Sequence, residues 1–382
     1  MSKTPSIPYG RQTIDEADLR AVAKALRSDW LTQGPRVAEF EAALARASGA
    51  AYAVAFSNGT AALQAAYAAA GLKSGDEFIT TPLTFASTAT AGLWQGARPV
   101  FADIDPATGN LDLKACEAAL TSQTRALVPV DYAGLPADLE GFRALAKRKG
   151  LTLISDACHS LGATRRGKRV GSLADMTVFS FHPVKTITTG EGGAVVTDDA
   201  ALRDRLASFR AHGIRKWADW EYFVDDMGLN YRLTDIQSAL GLSQLKKLPR
   251  FLSRRRALAA RYDRLLADFP ELETAPRDAA GESAWHLYVI RLKPGFSEGR
   301  REVFQALRKK GIGVQVHYIP VYWHPLYEKL GYAKGLCPKA ERFYAGIISL
   351  PLFPTLTNPE QDKVVRTLRE VLDRVYADRV SR

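Results

Sequence analysis

Continuous apolar segments that alternate with helical ones between residues 35 and 196 constrain the fold of this chain more than any other feature. These segments are short, rich in β-branched and aromatic residues, and apolar throughout. Strands of this kind are buried on both faces, which is typical of parallel strands joined by helices. The predicted strands comprise residues 78–81, 99–101, 126–130, 151–155, 177–181 and 194–197. The sequence therefore predicts an α/β fold in which helices cover both faces of a mostly parallel sheet.

Glycine and proline mark the ends of several predicted helices. Gly49 and Gly71 follow the first two helices, and Pro249 is expected to end the third. A basic helix follows this proline. The predicted helices comprise residues 35–48, 60–70, 234–248, 256–266, 300–310 and 360–377.

The chain has 382 residues, too many for one compact core, so we expect two packed units. Strand patterns at residues 287–292 and 313–318, with helices on either side, predict a smaller α+β unit after the large sheet. No low-complexity linker separates the two. The predicted regions are an N-terminal arm (1–34), a large domain (35–248) and a small C-terminal domain (249–382).

The charge balance favours anionic ligands, since 52 Lys and Arg face 41 Asp and Glu, a net charge of +11. The basic residues are scattered, and the densest run, Arg254-Arg255-Arg256, has the helical spacing of a solvated face, so no nucleic-acid partner is expected. Three widely separated cysteines, with no histidine at metal-ligand spacing, predict a reduced, metal-free interior. No segment has the length or hydropathy of a signal peptide or membrane span, so we expect a cytoplasmic protein.

The segment Ser180-Phe-His-Pro-Val-Lys185 leaves a predicted strand, and Gly190-Glu-Gly-Gly193 returns the chain to the next one. A single lysine is most often a surface ammonium. Here apolar neighbours and the glycine-rich return place Lys185 where a strand edge meets a cavity. Partial desolvation lowers the proton affinity of an amine, which makes Lys185 a candidate Schiff-base nucleophile.

Asp156 ends the predicted strand 151–155, and His159 follows it. An aspartate at this place is commonly a helix N-cap. Alternatively, its carboxylate holds a heterocyclic nitrogen protonated, as an electron-sink cofactor requires. His159 could orient that carboxylate, contact the ring, or be a structural histidine.

Small residues open the helix at Ser57-Asn58-Gly59-Thr60. Their backbone N–H groups lie at the positive end of the helix dipole, which suits a phosphate, although N-caps without a ligand share this pattern. No GxGxxG, Walker or GxSxG motif is present. The order of phosphate turn, strand-end aspartate and Ser-Phe-His-x-x-Lys is therefore the most specific signal.

In this order of motifs the chain resembles, over nearly its whole length, the DegT-type sugar-nucleotide aminotransferases, which are fold-type I pyridoxal phosphate (PLP) enzymes. Segments at residues 31–34, 130–134, 180–182, 230–247 and 315–318 are most similar to the branch of the pseudaminic acid pathway. That branch aminates C4 of a UDP-linked 4-keto-6-deoxy-hexose with glutamate as donor. The resemblance implies a fold-type I PLP aminotransferase with PLP as cofactor.

The resemblance also implies roles for individual residues. Lys185 would carry PLP and shuttle protons, and Asp156 would pair with the pyridine nitrogen. Asn230 would reach the site from a neighbouring subunit, so that a homodimer is the catalytic unit. The implied cofactor-binding residues are Gly59, Thr60, Phe85, Asp156, His159, Ser180, Lys185 and Asn230.

The implied sugar-nucleotide site draws on three separate segments and on Asn58 and Asn230. Trp30 and Tyr318 have an alternative interpretation, because aromatic residues usually fill core. The implied substrate-binding residues are Tyr9, Asp29, Trp30, Leu31, Thr32, Asn58, Asn230, Gln315, Val316, His317 and Tyr318.

Three other functions remain open from the sequence. A PLP-dependent dehydratase shares this fold, but that branch has histidine in place of the lysine, and Lys185 is present. A regulatory protein could retain the fold without catalysis. Among transaminases, the alternative acceptor is the UDP-4-keto-pentose of lipid A modification, since its enzymes share the Ser-Phe-His-x-x-Lys pattern.

Overall fold

A computed structural model describes residues 7–380, with side chains described up to Ala377. The first six residues of the predicted arm and the last two of the predicted small domain lie outside the described residues. The helices are α1 (Glu16–Leu26), α2 (Pro35–Ser48), α3 (Gly59–Ala69), α4 (Ser87–Leu93), α5 (Leu113–Ala118), α6 (Leu139–Lys149), α7 (Ala200–Arg210), α8 (Asp235–Leu245), α9 (Leu248–Leu265), α10 (Arg300–Lys309), α11 (Pro325–Lys329), α12 (Pro338–Gly346) and α13 (Asn358–Val380).

The strands form one large sheet and three small ones. They are β1 (Tyr52–Phe56), β2 (Glu77–Thr80), β3 (Arg98–Phe101), β4 (Thr124–Val128), β5 (Thr152–Asp156), β6 (Thr164–Arg165), β7 (Lys168–Arg169), β8 (Met176–Ser180), β9 (Gly193–Thr197), β10 (Ile214–Lys216), β11 (Tyr222–Val224), β12 (Leu272–Glu273), β13 (Gly281–Glu282), β14 (Tyr288–Leu292) and β15 (Ile347–Leu350).

The large sheet has seven strands in the order β1-β9-β8-β5-β4-β2-β3. All neighbouring pairs are parallel except those of β9, which runs antiparallel to both β1 and β8. The predicted α/β fold with a mostly parallel sheet is confirmed. The carboxyl ends of β1, β2, β4, β5 and β8 therefore meet at one edge, where sheets of this type bind ligands.

Helix α3 packs closely on this sheet because it is rich in alanine. Its buried residues include Ala62, Ala65 and Ala66, which have no exposed surface. Small side chains let the helix approach the strands, and the first turn of α3 therefore sits against the end of β1 and beside Ser180 of β8. This packing brings a helix N-terminus to the ligand-binding edge.

A second core lies in the C-terminal part of the chain. Strands β12, β14 and β15 form an antiparallel sheet, and α9, α10 and α13 contribute buried residues such as Leu258, Val303 and Leu368 to the same cluster. Ile7 from the N-terminal segment is also buried there. The domain boundary after residue 248 stays a prediction.

Two local predictions are wrong. Residues 313–318 do not form a strand, because their pairing is limited to isolated bridges, Ile7 with Ile312 before the segment and Gln315 with Ser349. Pro249 does not end a helix but lies in the first turn of α9. A proline is tolerated there because the first N–H groups of a helix make no hydrogen bond within the helix. Within residues 7–380 no helix is both long enough and apolar enough to span a bilayer.

Arg255 corrects the interpretation of the basic run as a solvated helix face. Its side chain is 1% exposed, and Nη1 donates to the carbonyl oxygens of Trp285 (3.0 Å), His286 (3.3 Å) and Leu352 (3.0 Å). Burial lowers the pKa of Arg255 to about 10. The guanidinium donates to three carbonyls at once. It therefore connects α9 to the segment before β14 and to the segment after β15.

We predict that Arg255→Met lowers the free energy of unfolding by about 3 kcal/mol or more, because buried carbonyls lose their donor. Arg256→Met is the matched control, since the Arg256–Glu282 ion pair is partly exposed, with side-chain exposures of 34% and 54%, and should contribute no more than about 1 kcal/mol. Urea unfolding followed by circular dichroism measures both. Equal midpoints for the two variants would contradict the structural role of Arg255.

Candidate active site

A cavity of about 950 Å³ opens at the carboxyl edge of the seven-stranded sheet. Residues from the N-terminal segment, the large sheet and the C-terminal part all line it. Thirteen of the residues singled out from the sequence line it: Tyr9, Asn58, Gly59, Thr60, Phe85, Asp156, His159, Ser180, Lys185, Gln315, Val316, His317 and Tyr318.

One end of the cavity is formed by the first turn of α3. Asn58 caps the helix by accepting a hydrogen bond from the N–H of Ala61 at 2.8 Å. The preceding amides, of Gly59 and Thr60, lie in the first turn, where a helix supplies no acceptors of its own. A Cβ on Gly59 would lie 3.0 Å from Cβ and 3.1 Å from Oγ of Ser180. Because residue 59 is glycine, the amides of Gly59 and Thr60 can lie beside the Ser180 hydroxyl. Together these three groups form a cradle for an anion.

Asp156 presents a buried carboxylate to the same cavity. It is 4% exposed at the end of β5, and the N–H of Cys158 donates to Oδ1 at 3.2 Å. The hydroxyl of Thr88 donates to Oδ2 at 2.7 Å. The interpretation of Asp156 as a helix N-cap is wrong, because β5 leads into a turn and not into a helix. The turn amide uses one oxygen, so lone pairs remain on both oxygens for a ligand.

Lys185 lies in the turn after β8, where its N–H donates to the carbonyl of His182 at 2.9 Å. The side chain borders the cavity and keeps partial access to it, but protein atoms surround the amine. Burial lowers the pKa of Lys185, while Cys158 and Asp156 act in the opposite direction. A lowered pKa leaves more of the amine neutral near pH 7, as a nucleophile or general base requires.

A wall of neutral aromatic side chains faces the lysine. The rings of His159 and His286 lie 4.4 Å apart, and the Tyr318 hydroxyl is 3.0 Å from Nε2 of His159. Burial lowers the pKa of His159 and of His286 well below the usual value, and nearby Lys185 adds to this effect. The wall therefore adds no positive charge beside Lys185.

The segment that was predicted as strand 313–318 instead forms part of the cavity wall. The Tyr132 hydroxyl donates to the carbonyl of His317 at 2.5 Å, and Nδ1 of His317 lies 2.8 Å from the Ser349 hydroxyl. The ring of Tyr9 lies 5.5 Å from that of His317. Burial lowers the pKa of His317 to about 3. These contacts hold Gln315 to Tyr318 beside the residues of the large sheet.

Five of the predicted residues lie outside the cavity of this chain: Asp29, Trp30, Leu31, Thr32 and Asn230. All five are exposed. Trp30 is 55% exposed, so the alternative that it fills core is wrong. The loop that carries Trp30 is fixed by Asp235 of α8, whose N–H donates to the carbonyl of Leu31 at 3.0 Å.

Sequence reasoning missed several residues of the cavity. His286 comes from the chain before β14, and Tyr231 follows the β10–β11 hairpin; no local motif marks either. Thr84 could have been found, since it directly precedes Phe85 in the same polar segment. The cavity residues that were not predicted are Ala61, Thr84, Ser87, Val130, Cys158, His182, Val184, Glu191, Tyr231 and His286.

These groups fit PLP chemically. A cradle of amides and a hydroxyl could hold a phosphate, Lys185 could bind an aldehyde, and Asp156 could accept a hydrogen bond from a protonated ring nitrogen. The close approach of Gly59 to Ser180 is the observation that favours a ligand with a phosphate. Among the side chains described, those of residues 7–377, no group of His, Cys, Asp or Glu is arranged to hold a metal ion.

Comparison with known proteins agrees with this chemistry. The chain is 40% identical over 373 residues to the UDP-4-amino-4,6-dideoxy-N-acetyl-beta-L-altrosamine transaminase of Campylobacter jejuni, covering 97% of this chain and 98% of the relative. The Helicobacter pylori PseC structure, an aminotransferase involved in the biosynthesis of pseudoaminic acid, matches with a TM-score of 0.93 at 39% identity. It covers 97% of this chain and 100% of PseC.

The PLP form of Spr1654 from Streptococcus pneumoniae matches with a TM-score of 0.92 at 31% identity, covering 97% of this chain and 99% of Spr1654. The predicted fold-type I architecture is confirmed by these similarities. The model of the DegT/DnrJ/EryC1/StrS aminotransferase family matches residues 12–369. The chain therefore belongs to this family of aminotransferases.

Proposed function

We propose that this chain is a PLP-dependent aminotransferase that transfers the amino group of glutamate to C4 of a UDP-linked 4-keto-6-deoxy-hexose. The acceptor would be UDP-2-acetamido-2,6-dideoxy-beta-L-arabino-hexos-4-ulose, and the product UDP-4-amino-4,6-dideoxy-N-acetyl-beta-L-altrosamine, for pseudaminic acid biosynthesis. The observation that carries the proposal is that the Lys185 amine, the Asp156 carboxylate and the α3 amide cradle line one cavity.

Separate groups of the protein would hold the phosphate and the ring of PLP. The amides of Gly59 and Thr60 and the hydroxyl of Ser180 would bind its phosphate. Asp156 would accept a hydrogen bond from its ring nitrogen. Phe85 and His159 would contact the ring, consistent with their place in the cavity wall. When bound, PLP supplies an electron sink that allows the C–H bond beside an attached amine to ionise.

Lys185 would move the protons of the reaction. Its Nζ would take the α-proton of glutamate in the first half-reaction. In the second half-reaction Nζ returns a proton to C4 of the sugar. The lowered pKa of Lys185 favours this double role, because a base is most effective when its pKa lies near the working pH.

The sugar nucleotide would bind at the open side of the cavity. Tyr9, Asn58 and residues 315–318 line the cavity and have no proposed role in holding the cofactor. The Campylobacter jejuni and Helicobacter pylori relatives are named as transaminases of a 4-amino-4,6-dideoxy sugar, which favours a 6-deoxy-hexose over the UDP-4-keto-pentose. The three cysteines are unpaired, which fits a reducing, cytoplasmic compartment.

A homodimer with shared active sites is part of the proposal. Asn230 lies at the base of the β10–β11 hairpin, where it bridges to Ala211. The hairpin region exposes large apolar side chains, which soluble monomers rarely present together. They are Trp217 (69%), Trp220 (84%), Tyr222 (60%), Val224 (65%) and Met227 (85%). A second copy of the chain would cover this surface and receive Asn230 in its cavity.

Lys185→Ala is expected to bind PLP but to lose at least about a thousandfold in turnover, because the group that moves both protons is gone. Lys246→Ala, at an exposed lysine after α8, is the matched control. Single-turnover rates with glutamate provide the measurement. Turnover of Lys185→Ala near that of the control would remove Lys185 from the mechanism.

The acceptor is tested by absorbance spectroscopy of the PLP-loaded protein. Glutamate should convert the bound cofactor to its amino form, and the 6-deoxy-hexose should convert it back. The UDP-4-keto-pentose should act at least about tenfold more slowly, since the methyl group at C5 contributes binding energy. A faster reaction with the pentose would contradict the proposed substrate, and no response to glutamate would contradict the enzyme class.

Shared active sites predict complementation between inactive variants. Lys185→Ala and Asn230→Ala each impair every site of a homodimer. A mixed dimer contains one site with both residues intact, so mixing the two proteins after subunit exchange should restore about a quarter of the wild-type activity. Mixing Lys185→Ala with the double variant is the control. Activity no higher than that of Asn230→Ala alone would argue against Asn230 acting across subunits.

A further inference from the structure

The hydroxyl of Thr88 is a side-chain donor that holds the Asp156 carboxylate. Thr88 Oγ1 lies 2.7 Å from Oδ2 of Asp156. Thr88 is 1% exposed and Asp156 is 4% exposed, so bulk water does not compete for this bond. A hydrogen bond donated to a buried carboxylate offsets part of the cost of removing it from water.

A second hydroxyl fixes the direction of this hydrogen bond. Oγ1 of Thr84 lies 2.7 Å from Oγ1 of Thr88. A threonine hydroxyl has one proton, and that of Thr88 is used by Asp156. Thr84 must therefore donate to Thr88. Two hydroxyls thus form an ordered chain that ends on the carboxylate, and each bond polarises the next.

The backbone around Thr88 is held in place from two sides. The buried hydroxyl of Tyr67 donates to the carbonyl of Thr88 at 2.6 Å. On α4, a Cβ at Gly92 would lie 2.2 Å from the ring of Phe78, so the helix packs directly on β2. Tyr67 belongs to α3, the helix that begins at the anion cradle. The position of Thr88 is therefore linked to that of the cradle.

We propose that Thr88 is a positioning residue: its hydroxyl keeps the Asp156 carboxylate oriented toward the ring nitrogen of the cofactor, and the Thr84 hydroxyl, by donating to Thr88, keeps the Thr88 proton directed at Asp156. This inference rests on the proposed function, because Asp156 meets a ring nitrogen only if the chain binds PLP. Thr88 itself touches neither cofactor nor substrate in this role.

The test compares a variant that removes the Thr88 hydroxyl with one that keeps it. Thr88→Val removes the donor and should weaken the affinity of the apoprotein for PLP about tenfold, the usual effect of losing a hydrogen bond to a charged group. Thr88→Ser retains the donor and should stay within about threefold of wild type. Thr90→Val is the matched control, since the Thr90 hydroxyl bonds only to the Ala86 carbonyl one turn back on α4. Fluorescence titration with PLP provides the dissociation constants.

A spectroscopic readout separates positioning from general packing. The pH dependence of the absorbance of bound PLP should change in Thr88→Val and not in Thr90→Val or Thr88→Ser. With glutamate, kcat should fall while KM changes little. If Thr88→Val matches Thr90→Val in affinity and in pH profile, the positioning role is wrong. If Thr88→Ser fails to restore both, the effect belongs to packing, and the proposal is likewise overturned.

Thermal unfolding of the apoprotein shows whether Thr88→Val folds. If it does not, Thr84→Val provides the test. It leaves the Thr88–Asp156 bond in place but removes its support, so we expect a loss of about threefold in PLP affinity and the same direction of change in the pH profile. No change would overturn the ordered chain. Wild-type protein that binds no PLP would overturn the proposed function as well, whereas normal binding with unaffected variants overturns only this inference.

Discussion

The burial of the Asp156 carboxylate is the constraint on which the site depends. A charged group at the end of a central strand needs donors, and they come from the turn amide of Cys158 and the hydroxyl of Thr88. Supplying the second donor requires α4 to lie close to β5, although 68 residues separate Thr88 from Asp156. The hydrogen bond to this one carboxylate therefore constrains where α4 lies against the sheet.

The opposite case is Arg255, a buried cation without a carboxylate partner in the described structure. Its charge is met by three backbone carbonyls, which belong to segments that flank the C-terminal sheet. One of these carbonyls is that of His286, whose ring lines the cavity. The second core and the site therefore share a hydrogen-bonded connection, and the C-terminal part of the chain is more than a cover for the large sheet.

The sequence predicted correctly those features that depend on neighbouring residues, such as the ends of a helix. The helix Pro35–Ser48 was predicted without error, because proline opens it and Gly49, with φ of 80°, ends it in the left-handed conformation. The residues that the resemblance implies for PLP line one cavity, with the exception of Asn230. The sequence failed where distant segments decide the outcome. Arg255 is buried because residues 285, 286 and 352 meet it, and residues 313–318 lack continuous strand partners.

The contact between Gly59 and Ser180 limits how this active site can change in evolution. A single methyl group at residue 59 would crowd Cβ and Oγ of Ser180, so the cradle tolerates almost no variation. The loop of Trp30 and Leu31, by contrast, is exposed and can accept new side chains at little cost to folding. Descendants of this scaffold should therefore diverge in exposed loops such as this one, while residue 59 remains glycine.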